Sequence, residues 1–166
     1  MNREQMKHSG CLAAFTTRYH AWPTLNTQTI GHHQCRVAQL VVELFGMPRA
    51  EVLYYALYHD MGEYFSGDLP FMVKTAIPGL ADAMKLAEAY GLKQLGVQMP
   101  ELSPLEKSQV KIADLIEMHE FGHMEVLMGN HFGAAVRDDT LAEAQRVASQ
   151  YGLTNEVDAW LRKDRL

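Results

Sequence analysis

Residues 29–44 read TIGHHQCRVAQLVVEL, and the spacing of their apolar positions decides the fold class. Ile30, Val37, Leu40, Val41 and Leu44 recur at intervals of three, four and seven, as on one face of an α-helix, and Gly46 follows as a stop. His33 lies on that apolar side, four residues before Val37. Downstream, the same period predicts a helix over residues 49–61 that carries Val52, Leu53, Ala56 and Leu57. His59 and Asp60 fall in its last turn, and Gly62 and Gly67 bracket a turn after it. Ser103-Pro104-Leu105-Glu106 combines a capping Ser, a Pro at the first helical position and a Glu at the third. A long helix therefore starts there and runs toward Met128, where Gly129-Asn130 ends it. Residues 77–95 read as helix interrupted at Gly91, and further helices are expected over 140–151 and 155–162. No segment shows the alternation of a strand, so the expected architecture is an all-α bundle.

The chain has 166 residues, with 15 Lys and Arg against 20 Asp and Glu, a formal net charge of −5. A single domain spanning residues 1–166 is the expectation. A chain of this size hides roughly 70% of the surface it exposes when unfolded, so its core needs no disulfide or metal staple. Any metal then serves chemistry before stability. The mild acidity argues against a broad nucleic-acid-binding face, and a phosphate would be met by a local basic pocket or an ion. Cys11 and Cys35 are too few and too far apart for a disulfide framework, which points to a reducing, cytoplasmic setting. The first residues carry no apolar segment fit for export and no later apolar run approaches 18 residues, so neither secretion nor membrane insertion is expected.

Two short motifs compete for the chemistry. His119-Glu120-Phe121-Gly122-His123 matches H-E-x-x-H, the zinc protease signature that places two His ligands one turn apart with Glu as base. Gly122 weakens the helix that must hold such ligands, no third ligand is obvious downstream, and an all-α chain has no edge strand for a peptide. His59-Asp60 is uninformative as a dipeptide. Neighbouring helical residues point about 100° apart, so both reach one metal only at a helix end with other ligands arriving from other helices. His33 and Asp114 are the best-placed partners, each a polar residue among apolar neighbours. The alternative is a half-buried His33 with a carbonyl partner and an Asp that caps something local. For Asp114 that alternative is less favourable, because a lone carboxylate among apolar groups is costly.

His33, Tyr58-His59-Asp60-Met61-Gly62-Glu63, Gly67-Asp68-Leu69-Pro70 with Lys74, and Lys111-Ile112-Ala113-Asp114 together resemble the HD-domain metal-dependent phosphohydrolases. The likeness is greatest to bacterial 5′-deoxynucleotidases and to small phage deoxynucleoside triphosphohydrolases that act on dATP. It covers residues 18–114, implying a helical core over about 18–128 with C-terminal helices over 138–166. The resemblance implies His33, His59, Asp60 and Asp114 as ligands of one divalent ion, Mn, Co, Fe or Zn, with Mg a candidate second ion. It implies Glu63 and Asp68 as the catalytic acids, and Arg18, Trp22 and Lys74 as substrate contacts. The bacterial enzymes place Arg directly before Trp-Pro, whereas this chain has Ala21-Trp22-Pro23; Arg18 or His20 then supplies the anion contact from another backbone position. The implied reaction is hydrolysis of a 5′-deoxynucleotide, with a tilt toward release of triphosphate from a dATP-like substrate. The runner-up is a deoxynucleoside monophosphate phosphatase, and a nucleotide-sensing module without turnover is the third reading. A homo-oligomer in the cytoplasm of a bacterial cell or phage-infected host is implied, with no nucleic-acid polymer or membrane as partner.

Overall fold

The computed structural model describes residues 9–69 and 71–163, and these form an all-helical structure without a strand. The helices are α1 (Ser9–Ala14), α2 (Ile30–Phe45), α3 (Ala50–Tyr58), α4 (Glu63–Ser66), α5 (Phe71–Ala76), α6 (Leu80–Gln94), α7 (Pro104–Leu127), α8 (Gly133–Tyr151) and α9 (Thr154–Lys163). The all-α expectation is borne out, and α2, α7 and α9 lie within a residue or so of their expected bounds.

Four local expectations are corrected. Helix α3 ends at Tyr58, so His59 and Asp60 stand just past the helix. The Gly62–Gly67 bracket encloses the one-turn helix α4. Gly91 does not interrupt α6; it is buried within it. Helix α8 starts at Gly133, seven residues before residue 140, and its N-cap position, Phe132, makes no side-chain cap bond. With no capping side chain there was no local signal to mark that start.

The chain divides into two compact units. One comprises residues through Gln34 together with Tyr58–Met99. A bridge between Thr17 and Thr29 closes its first loop, with the Arg18 N–H on the Gln28 carbonyl and the Ile30 N–H on the Thr16 carbonyl, both at 2.9 Å. Ala13, Ile30 and Met61 form its buried cluster, flanked by Tyr58, Tyr64, Leu92 and Leu95. A Cβ built on Gly91 would lie 2.5 Å from the Gly62 carbonyl oxygen, and one on Gly62 would lie 2.2 Å from that of Glu88. Only glycine permits this approach, which seats α6 against the turn that follows Asp60.

The other unit comprises Cys35–Leu57 and the chain from Pro100 onward. Its core takes Val37, Leu40, Val41 and Leu44 from α2, Val52 and Ala56 from α3, and Ile112, Ala113 and Ile116 from α7. Ser103 and Glu106 make both bonds of the capping box on α7. Gly122 and Gly133 face each other: a Cβ on Gly122 would meet the Gly133 carbonyl oxygen at 2.8 Å, and one on Gly133 the Gly122 oxygen at 2.7 Å. Gly122 thus serves the contact between α7 and α8.

Candidate metal centre

His33 sits in the first turn of α2 and is fully buried, as its place on the apolar stripe requires. The Thr29 hydroxyl accepts from the His32 N–H at 3.3 Å and helps define the start of that helix. His59 and Asp60 occupy the turn after α3. That turn is tightened by bonds from the Met61 N–H to the Tyr58 carbonyl at 3.1 Å and from the Glu63 N–H to the Asp60 carbonyl at 2.9 Å. Asp60 lies between the two imidazoles, with Oδ2 3.4 Å from Nε2 of His33 and Oδ1 3.6 Å from Nε2 of His59. The rings of His33 and His59 are 5.5 Å apart at a 56° angle.

One donor atom from each of these three residues lies within 4.8 Å of the others, and among the described residues this is the group of three or more placed to share an ion. Two imidazoles and a carboxylate form a donor set suited to a first-row divalent ion. The residues fit the group the sequence implied. Asp114, the fourth expected ligand, lies on α7 in the second unit, with Oδ2 accepting from Lys111 Nζ at 2.7 Å.

Beside this trio the first unit gathers four more of the expected residues. Glu63 opens α4 and is buried, and its Oε2 has no hydrogen-bond partner among the described residues. Burial first, and then the carboxylates of Asp60 and Asp68, push its pKa up to about 8 against the pull of Lys74 and Arg18. Lys74 on α5 stands 3.5 Å from Glu63 Oε1 and 3.6 Å from Glu88 Oε1 on α6. Burial lowers its pKa, but the carboxylates around it, Glu63 foremost, outweigh that and leave it raised. Asp68 Oδ2 accepts from the Tyr19 N–H at 3.0 Å. Arg18 is buried, and its Nη1 donates to Gln28 Oε1 at 2.8 Å.

Trp22 is half-buried, and its N–H bonds the Tyr19 carbonyl at 2.9 Å. The aromatic residue that structure ties directly to the acids is Tyr19. Its φ of 56° is rare for a bulky side chain, and the Asp68 bond and the Thr17–Thr29 bridge hold it there. The Arg18 guanidinium lies 5.2 Å from the Tyr19 ring centre, in cation–π range. Tyr19, Gln28 and Glu88 were missed by sequence reasoning. For Tyr19 the available signal was its place directly after Arg18, an Arg–aromatic pair three residues before Trp22. For Glu88 it was the stripe Met84, Glu88 and Gly91, one carboxylate on an otherwise buried helical face.

A protein-family model described as 5′-deoxynucleotidase YfbR-like matches residues 17–151. The chain belongs to that family. No curated protein matches it closely enough to add to this. Among solved structures, the cyanophage S-2L HD phosphohydrolase DatZ, bound to dA and one catalytic Zn2+ ion, superposes with a TM-score of 0.76 at 20% identity over 94% of each chain. An HD-domain phosphohydrolase from Listeria innocua gives a TM-score of 0.65 at 17% identity, covering 99% of this chain and 87% of its own. These two share the fold. As a member of the YfbR-like family the chain is a metal-dependent phosphohydrolase of deoxynucleotides, and the expected HD-domain phosphohydrolase family is borne out. Among the described residues, no helix is long and apolar enough to cross a membrane.

Proposed function

We propose that the protein hydrolyses a deoxynucleoside triphosphate of the dATP kind to deoxynucleoside and triphosphate. The observation that carries this reading is the electrostatic pull on Glu63 of two cations from separate stretches of chain, Lys74 first and then Arg18, beside the His33–His59–Asp60 trio. Two cations on separate elements suit a tail of more than one phosphate, since each can meet a different group. The likeness in fold to a phage protein that binds dA supports an adenine deoxynucleoside as product.

His33, His59 and Asp60 would hold the divalent ion. When bound, such an ion polarises the phosphoryl group and acidifies water. Glu63 takes the proton of the attacking water, and its partner-free Oε2 is open to accept it. The P–O5′ bond breaks, and Asp68 supplies a proton to the departing oxygen through Oδ1, since Oδ2 is engaged by Tyr19. Arg18, held by Gln28, and Lys74, held by Glu63 and Glu88, bind the phosphate oxygens. Tyr19 and Trp22 border the sugar and base. We place the protein in the cytoplasm of a bacterium or phage-infected host, as a homo-oligomer within one domain.

A second reading, a deoxynucleoside monophosphate phosphatase, is favoured by the description of the matching family. Incubation with Mn2+ or Co2+ and each dNMP and dNTP separates the two. Triphosphate released from dNTPs supports the first reading, orthophosphate from dNMPs the second, and release of neither removes both and leaves a sensing module.

A further inference from the structure

Helix α7 carries a second pair of imidazoles that the phosphohydrolase chemistry does not use. His119 and His123 are four residues apart and so share a face of the helix. Their rings are nearly parallel, at 19°, with centres 6.3 Å apart, and both are half-buried. His119 Nδ1 lies 2.9 Å from the Arg137 carbonyl oxygen on α8. A carbonyl only accepts, so Nδ1 carries the proton and Nε2 keeps its lone pair. Metal-binding histidines are oriented in this way, one ring nitrogen donating to a carbonyl and the other left for the ion.

The charges nearby permit a cation. Glu120, the residue that would be the base of an H-E-x-x-H protease, is bound by Arg36 Nε at 2.8 Å and Nη2 at 2.6 Å. Arg137 is held by both oxygens of Asp138, at 2.7 and 3.0 Å. The two arginines near the pair are thus each neutralised by a carboxylate.

We propose that His119 and His123 form a second metal site, separate from the His33–His59–Asp60 centre, that takes a late first-row divalent ion such as Zn2+, Ni2+ or Cu2+. Imidazole ligands select these ions over Mg2+, which prefers oxygen. With two protein ligands and water completing the shell, the site binds more weakly than the first centre. Through the His119–Arg137 bond the ion would brace α7 against α8.

Equilibrium dialysis against excess Zn2+, with bound metal counted by atomic emission, tests this. Wild-type protein should hold one ion per chain more than His123→Ala, and Mg2+ at equal concentration should not fill the difference. His119→Asn serves as a second variant, and circular dichroism confirms that each remains helical. A His59→Ala variant should keep the second ion, which separates failure of this site from failure of the first. His123→Ala should hydrolyse deoxynucleotides at the wild-type rate. An equal metal count in wild type and both His119 and His123 variants, equal filling by Mg2+, or loss of every ion from a folded His123→Ala would each overturn the proposal.

Discussion

Replacing Glu63 with Gln keeps the shape of the side chain but removes its capacity to take a proton. Turnover should fall by roughly 10²- to 10⁴-fold, the usual worth of a positioned acid or base, with nucleotide affinity retained. Steady-state kinetics beside calorimetric titration of a deoxynucleotide reads both quantities, and unchanged turnover would remove Glu63 from the chemistry. Gln28→Ala acts at one remove, since it takes from Arg18 the bond that holds its guanidinium. Bonds to charged groups contribute about 1.5–3 kcal/mol, so KM for a nucleotide should rise about tenfold or more while kcat changes less. His33 stood out by its place on the apolar stripe of α2, whereas Glu63 and Lys74 came only through the resemblance carried by the motifs that hold them. Tyr19 was not, because its importance lies in a bond to Asp68, 49 residues away, that no local pattern announces.

At the scale of elements, two glycines and one cap carry the arrangement. Gly91→Ala would drive a methyl group to 2.5 Å from the Gly62 carbonyl, where backbone must yield. We expect a loss of about 1–3 kcal/mol in urea unfolding, together with reduced activity as α6 carries Glu88 away from Lys74. The start of α7 should show its own pH dependence. The side-chain bond from Arg49, then the bonds from Ser103, lower Glu106 from the ordinary 4.5 to about 2. A carboxylate held below its unfolded value stabilises above that value, so the contribution is complete above about 4.5 and disappears as the pH falls toward 2. Thermal unfolding of wild type and Glu106→Gln should therefore differ at neutral pH and converge through that window. This cap was legible in four residues, whereas α8, which starts without one, was misplaced by seven. Gly91 read as a break because sequence records a missing side chain, and only packing shows which backbone occupies the space.

For the whole molecule, the buried cores set stability, and a bound ion would add to it. Chelation should abolish hydrolysis and lower the melting temperature, since a ligand bound only by the folded state contributes about 2.7 kcal/mol at a hundredfold excess over Kd. Calorimetry before and after EDTA, with Mn2+ restored, checks both effects together. Ile116, fully buried in the core of the second unit, should cost about 2–5 kcal/mol when cut to Ala, measured by denaturant unfolding. Composition and helical period pointed to the all-α class, and the motif resemblance pointed to the family and to His33, His59 and Asp60 as expected donors. Those signals are local, because periodicity, capping and ligand chemistry belong to a single stretch of chain. Tertiary structure alone decided that Asp60 stands between two imidazoles, that Lys74 lies 3.5 Å from Glu63, and that paired glycines bring backbones into contact. Such approaches bring together residues remote in sequence, and their free energy resides in burial and charge that exist only once the chain has folded.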